Sequence, residues 1–385
     1  NLNRNIDILF VIDDSGSMAD DQAALVDAAR AHLFPQLEAL PYGLPDLHVG
    51  VISTDLGNGG GPNLPGCVGA GDDGALQAAP CTARTDLLTD AKSACAELCP
   101  DPSFVPNSGQ RYISKIDGVT NVPKAMVVDA KTGQMVDEGP TRAFKCMALV
   151  GDSGCGAESQ LEGSRRALDG HLDENAGFLR PGSFLAIIYI TDEDDCSVQP
   201  TRRGENEPLT RDCDPTRPDA PDCYNSDFRC LARSLECNET LLTPGVKTGC
   251  RERPANYLEP VEKYYKFFSS LRPPARLLVS GIWTIPNIDT AASSGGKVTI
   301  VGGPLTSDLR REAACVNSTN SAVVGQPQFR LSQLATMYGV GKDGSANAPQ
   351  LNVCNTADYP TALTGPTRSA AYSGLMAAPG TPKAW

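Results

Sequence analysis

The sequence predicts a doubly wound α/β fold, a mainly parallel sheet with helices on both faces. Three observations predict it. Ile6–Ile12 (IDILFVI) is a short, nearly continuous apolar run. Phe184–Thr191 (FLAIIYIT) is a second. Such runs are how a strand reads when a parallel sheet buries both of its faces. Between them lie stretches whose apolar residues recur at helical spacing, and strand–helix alternation is the pattern of a doubly wound sheet.

Each element follows in order. After the first strand, Leu25, Ala28, Ala29, Leu33, Leu37 and Leu40 mark the buried stripe of a helix. Ser17 with Asp20 resembles a capping box at its start, and Pro35 is expected to bend it. Leu47–Thr54 (LHVGVIST) is the second strand. A helix over Glu162–Leu172 precedes the Phe184–Thr191 strand. A helix over Val261–Leu271, with a Tyr and Phe stripe read as core, precedes a strand over Arg276–Ile285. A last helix covers Phe329–Tyr338.

Two long segments interrupt this alternation. Residues 56–143 are rich in Gly, Pro and Cys and contain a candidate hairpin, Ala125–Val128 against Gln134–Val136, turning at Lys131-Thr132-Gly133. Residues 196–255 carry six cysteines, from Cys196 to Cys250. Loops this long inside a compact domain are usually functional or stapled. The expected organisation is one domain over residues 1–357 with these two insertions, and a Pro-, Gly- and Ala-rich tail or linker over 358–385.

Composition narrows the function classes. Apolar residues make up 41% of the chain, enough for a substantial core. The formal charge of −13 argues against nucleic acid and anionic membranes as partners. The fourteen cysteines are dispersed and only three histidines occur (His32, His48, His171), so a zinc framework is poorly supported. Disulfides formed in an oxidising compartment are the better account, with redox chemistry in the cytosol as the alternative. Near-neighbour pairing, Cys67 with Cys81 and Cys146 with Cys155, is the working expectation. The longest strongly apolar stretch, Phe184–Thr191, is far too short to span a bilayer. Export is inferred from the cysteines, and a leader before Asn1 is therefore expected.

The chemistry is concentrated where strands end. Asp13-x-Ser15-x-Ser17 lies between a buried strand and a helix, at the carboxyl edge where parallel sheets bind ligands. Three short oxygen-bearing side chains at alternate positions can converge on one point, and Gly16 permits the sharp turn. Asp192 closes another apolar strand, in Thr191-Asp192-Glu193-Asp194-Asp195. If that strand neighbours the first, Asp192 reaches the same point. Carboxylates and hydroxyls are hard donors suited to Mg²⁺, Ca²⁺ or Mn²⁺. For Ser17, helix capping and metal ligation both remain open. Glu193, Asp194 and Asp195 read as a solvated acidic loop, one of which could support the site. Asp55 reads as a turn residue, with a second cation site as the alternative. Asn238-Glu239-Thr240 and Asn317-Ser318-Thr319 match the glycosylation pattern.

Asp13-x-Ser15-Gly16-Ser17 after ILFVI, and Thr191-Asp192 after FLAIIYI, resemble the metal-ion-dependent adhesion site of von Willebrand factor A domains, which integrin I domains share. The resemblance covers about half of the chain. It implies a Rossmann-like sheet with one antiparallel edge strand. It further implies that Ser15 and Ser17 bind a divalent cation directly and that Asp13 and Asp192 do so directly or through water. An acidic group of a partner would complete the coordination. Val51–Gly57, Gly154–Glu158 and Thr191–Ser197 are more closely similar to cysteine-rich A-domain proteins and lipoproteins exported by gliding and predatory bacteria, some of them surface adhesins. The family usually places a threonine in the loop before the helix that precedes the Asp192 strand. Here that loop reads Asp152–Ser159, with Glu158 the candidate for the position and Ser159 the runner-up. A carboxylate there would hold the ion more tightly and make it a weaker Lewis acid.

The resulting expectation is an exported, cell-surface or lipid-anchored binding protein with no transmembrane segment. One divalent cation, Mg²⁺ first and Ca²⁺ or Mn²⁺ as alternatives, sits on Asp13, Ser15, Ser17, Glu158 and Asp192. Its partner is a protein or an acidic glycan that presents a carboxylate. A structural subunit of a surface assembly is the rival from another class. An enzyme is not expected: there is no histidine-based general-base constellation, no P-loop and no Gly-x-Ser-x-Gly elbow.

Overall fold

The computed structural model describes residues 5–38, 45–57, 67, 69–84, 92–107, 109–128, 133–199, 226–253, 258–284, 296–303, 309–316, 324–338, 350–351, 353–355 and 359. The predicted alternation is present: β1 (Ile6–Ile12), α1 (Ala19–Ala28), β2 (Leu47–Ser53), β3 (Ile113–Ile116), α2 (Gly139–Ala148), α3 (Gln160–Leu168), β4 (Phe184–Ile190), α4 (Val261–Leu271), β5 (Leu277–Ile282), α5 (Phe329–Met337) and β6 (Gln350–Leu351). The sheet runs β6-β5-β4-β1-β2-β3 and ends in Val119–Thr120. The first five of these strands are mutually parallel. β3 lies antiparallel to β2, and Val119–Thr120 folds back antiparallel on β3, so the antiparallel edge is a short hairpin.

The unbroken apolar runs have the predicted cause. Every residue of β1, β2, β4 and β5 is buried. Alternate side chains feed two cores. Ile8, Phe10, Ile12, Val49, Val51, Ile188 and Ile190 pack on the side of α1 and α2. Leu9, Val11, Ile52, Ile187, Tyr189 and Val279 pack on the side of α3, α4 and α5. Tyr264 and Phe268 of the α4 stripe belong to this second core. β1 is central, with β2 on one side and β4 on the other, in register from Ile6↔Leu47 and Ile6↔Phe184 to Ile12↔Ser53 and Ile12↔Ile190.

At Pro35 the structure shows a change of helical winding. The proline nitrogen cannot donate and its ring crowds the carbonyl four residues back. The chain answers with a π-helical turn over Ala29–Leu33, then resumes as helix over Phe34–Glu38. Leu40 lies outside the described residues. The hairpin in the first insertion pairs Met126–Val128 with Met135–Asp137, and Lys131 and Thr132 of its turn lie outside the described residues. The second insertion is not a simple loop. Gly245–Glu252 pairs with Leu235–Glu236 and with the later strand Gly296–Val301, which pairs with Arg310–Arg311. This four-stranded sheet has its own core around Phe228, Leu231, Val298 and Ile300.

The near-neighbour disulfide expectation is wrong. Among the described residues six bridges join Cys67–Cys155, Cys81–Cys95, Cys99–Cys146, Cys196–Cys230, Cys237–Cys250 and Cys315–Cys354. Bridge geometry requires Cα atoms within about 7 Å. The fold brings Cys67 and Cys155 to 4.2 Å across 88 residues of chain, so sequence proximity was a poor guide. Cys213 and Cys223 lie outside the described residues. Tyr359, read from sequence as the start of a tail, is fully buried and its hydroxyl donates to Asp21. Among the described residues no helix is long and apolar enough to cross a membrane.

Candidate metal centre

The site forms where β1, β2 and β4 end together. Because Ile12 and Ile190 are paired, Asp13 and Thr191 leave adjacent strands at the same level. The Asp13 backbone N–H donates to the Ile190 carbonyl at 3.0 Å, and Thr191 Oγ1 donates to Asp13 Oδ2 at 2.6 Å. Asp13 Oδ1 accepts the Ser15 backbone N–H at 2.8 Å, which curls the loop back over the strand tip. Gln22 of α1 donates to the Asp13 carbonyl at 2.9 Å and also to the Gly151 carbonyl, tying the loop before α3 to the same point.

That loop delivers a second group of acids. Gly154 N–H donates to the Asp14 carbonyl at 2.8 Å. A Cβ at Gly154 would run into the Asp14 carboxylate, so this close approach requires glycine. The loop is pinned by Cys67–Cys155 and by the Ser159 N–H, which donates to the Thr54 carbonyl at 3.1 Å. Thr54, at the tip of β2, donates its hydroxyl to Glu158 Oε2 and, at 3.3 Å, to Asp14 Oδ1.

Asp13, Asp14 and Glu158 consequently have carboxylate oxygens that all lie within 4.8 Å of one another, and this buried acidic triad could hold a metal ion. Ser159, the alternative to Glu158, turns its hydroxyl to the Ala157 carbonyl at 3.3 Å. Ser15 Oγ and Ser17 Oγ lie 3.2 Å apart. Asp192 is not a member of the tight triad. It is buried close enough to Asp13 and the Ser17 hydroxyl for both to act on its carboxyl. Ser17 makes no capping hydrogen bond; Met18 occupies the N-cap of α1 without a side-chain bond, so the capping-box reading is overturned. The hydroxyl is turned instead toward the Ser15 hydroxyl at 3.2 Å.

The electrostatics are unbalanced. Burial raises the carboxyl of Asp13 above its ordinary range. Burial, reinforced by the charges of Asp55, Asp13 and Asp72, raises Asp14 well above it. Glu158 is held high by burial and then by Asp13 and Asp14, and Asp192 by burial and then by Asp13 and Glu193. No lysine or arginine forms an ion pair with any of these four among the described residues. Arg84 feels the Asp14 charge, but its guanidinium donates to the Ala79 carbonyl at 2.8 Å. Glu158 Oε1 and Asp192 Oδ1 are buried without a hydrogen-bond partner. Buried charges of one sign need a counter-charge. Four carboxylates and two hydroxyls form an all-oxygen donor set that fits a hard divalent cation.

Sequence reasoning missed Asp14, Thr54 and Thr191 as parts of this site. Asp14 adjoins a named ligand, and strand alternation would send it to the other side. The chain has left the strand by that point, so the alternation no longer holds. The acidic run after Asp192 is also not a solvated loop. Asp194 and Asp195 are buried. Asp195 accepts the Leu161 N–H at the start of α3 and the Ser197 hydroxyl, while Asp194 Oδ1 accepts the Arg330 N–H. Asp55 is a turn residue whose Oδ1 accepts the Gly57 N–H at 2.6 Å. Asn238 donates to Thr248 Oγ1, and Asn317 lies outside the described residues.

Comparison with protein-family models finds none that matches this chain, and comparison with curated proteins finds no match either.

Proposed function

We propose that this chain is an exported, disulfide-stapled binding protein of the von Willebrand A type that engages a carboxylate-bearing partner through one divalent cation, Mg²⁺ first and Ca²⁺ or Mn²⁺ as alternatives. The single observation that supports it most is the convergence of Asp13, Asp14 and Glu158 beside Ser15, Ser17 and Asp192, with orphaned buried carboxylate oxygens among them. A cation bound there supplies an electrophilic centre for a partner's oxygen. Asp13, Asp14 and Glu158 hold the inner side, and Thr191 and Thr54 fix their carboxylates in place. Ser15, Ser17 and Asp192 complete the donor set, and of these only Ser17 is exposed. The exposed Gly16–Ser17 turn is where a docking partner would approach.

A second reading has its own observation. Apart from Ser17, the predicted ligands and Asp14 are all buried, and the two added carboxylates neutralise more of a divalent charge than the family pattern does. Both features suit a structural ion in a subunit of a surface assembly. Retention on immobilised polyglutamate and polygalacturonate separates the readings. The adhesion reading requires retention in Mg²⁺, loss in chelator, and loss in Asp13→Ala. If chelation lowers only the melting temperature and retention is unchanged, the ion is structural.

A further inference from the structure

A cleft of about 260 Å³ lies between the π-helical turn after α1, the short helix Lys92–Leu98 and α2. It shares no residue with the carboxylate cluster. We propose that this cleft binds a small hydroxylated organic carboxylate of monosaccharide size, with the carboxylate held between the Arg30 guanidinium and the Lys145 ammonium.

Three observations lead there. First, the two cations are free to receive a ligand. Among the described residues neither Arg30 nor Lys145 makes a hydrogen bond or an ion pair, although Lys145 is half-buried. Burial first and then the neighbouring Arg30 charge depress the Lys145 ammonium, only partly offset by Asp27 and Glu138, so an anion placed between the two cations relieves an existing repulsion.

Second, the other charges select against polyanions. Glu97, Asp101 and Glu138 share the lining with Arg30, Arg142 and Lys145, so the cleft is neutral overall. Glu138 is already paired with Arg142 at 3.5 Å, and Asp101 accepts the Ser103 N–H and hydroxyl at 3.0 and 2.7 Å. Glu97 and Thr141 remain to accept from ligand hydroxyls. A phosphate dianion or a polyanion would meet these acids, whereas a monocarboxylate with several hydroxyls satisfies both kinds of group.

Third, the walls are rigid before any ligand arrives. Cys99–Cys146 ties the end of the short helix to α2, Cys81–Cys95 ties its middle to the preceding turn, and the Arg142 guanidinium lies 5.3 Å from the Phe104 ring centre. Preformed walls lower the ordering cost that limits small ligands. The volume of about 260 Å³ falls just below the range of about 300–1,000 Å³ typical of drug-sized ligand pockets, which suits a single sugar acid and excludes an oligomer bound along its length.

Glucuronate is the probe, glucose the uncharged control, and calorimetric titration of the full chain the measurement, run once in Mg²⁺ and once in chelator. We expect saturable glucuronate binding of equal strength in both buffers and none for glucose. Lys145→Met and Arg30→Gln should each weaken it at least tenfold while the melting temperature stays within a few degrees. Binding that vanishes in chelator belongs to the carboxylate cluster and overturns the assignment. So does binding that both variants leave unchanged, or glucose binding as strong as glucuronate.

Discussion

Asp195 and Arg330 form a fully buried ion pair, Oδ2 to Nε at 2.9 Å, that fastens the acidic strand tip to α5. Arg330 also pairs with Glu252 of the small sheet at 2.8 Å and donates to the Glu259 carbonyl at 2.6 Å. One side chain therefore joins the loop after Asp192, the second insertion and the start of α4. Removing one partner of a buried pair leaves an uncompensated charge and typically costs about 3–5 kcal/mol. Arg330→Ala should destabilise by that amount in denaturant titration and should weaken cation binding by loosening the loop behind Asp192. Arg330→Met with Asp195→Asn removes both charges, keeps an acceptor for the Leu161 N–H and the Ser197 hydroxyl, and should recover part of the loss. A double variant no more stable than Arg330→Ala would contradict this account.

The carboxylate cluster makes a prediction with an unusual sign. Without a cation, Asp13, Asp14, Glu158 and Asp192 repel one another in a buried site. Glu158→Gln and Asp192→Asn each remove one charge. In chelator, each variant should be as stable as the parent or more so. In millimolar Mg²⁺ the order should reverse, because ligand binding to the folded state adds stability as RT ln(1 + [L]/Kd) and the variants bind more weakly. Paired melting curves in chelator and Mg²⁺ test this. Equal gains on adding Mg²⁺ in parent and variants would remove both residues from the site.

Much of this was legible in the sequence, for identifiable reasons. β1 and β4 announced themselves because burial on both faces forces an unbroken apolar run, and a turn after such a strand fixes where Asp13 and Asp192 lie. Glu158 could be proposed, with Ser159 beside it, only because the resembled family places a threonine in the loop before α3 and Glu158 stands at that point of the loop. Less legible were contacts made through tertiary folding. Asp194 and Asp195 read as a surface charge run because nothing local reveals Arg330, more than a hundred residues away and itself buried. The disulfide Cys67–Cys155 was hidden for the same reason.

That disulfide carries its own prediction. It closes a loop of 88 residues and anchors the segment that holds Glu158 against Asp14. Chain-entropy arguments put the stabilisation from such a closure at about 4 kcal/mol or somewhat more, as an upper figure. Cys67→Ser with Cys155→Ser should therefore lower stability by a few kcal/mol. It should also weaken cation affinity relative to a control, Cys237→Ser with Cys250→Ser, whose loop lies in the small sheet. Equal cation affinity in the two double variants would show that the bridge stabilises the fold without shaping the site.

Asp21 sets a pH dependence of known direction. Burial pushes its carboxyl up to about 7 from 3.8, against the hydrogen bond from Tyr359. In the unfolded chain the group ionises near its ordinary value. Between those two points the folded protein holds a proton that the unfolded chain has released, so folding is favoured by acid. The contribution is complete below about pH 4 and disappears as pH rises through 7, with a slope of at most about 1.4 kcal/mol per pH unit. Asp21→Asn keeps an acceptor for the Tyr359 hydroxyl and removes the titration. Its stability should fall less steeply than the parent's between pH 4 and 7, as read from denaturant midpoints across that range. Tyr359→Phe deletes the bond that favours the ionised form, so it should move the loss of stability to higher pH. Parallel pH profiles for parent and Asp21→Asn would mean that another group carries the dependence.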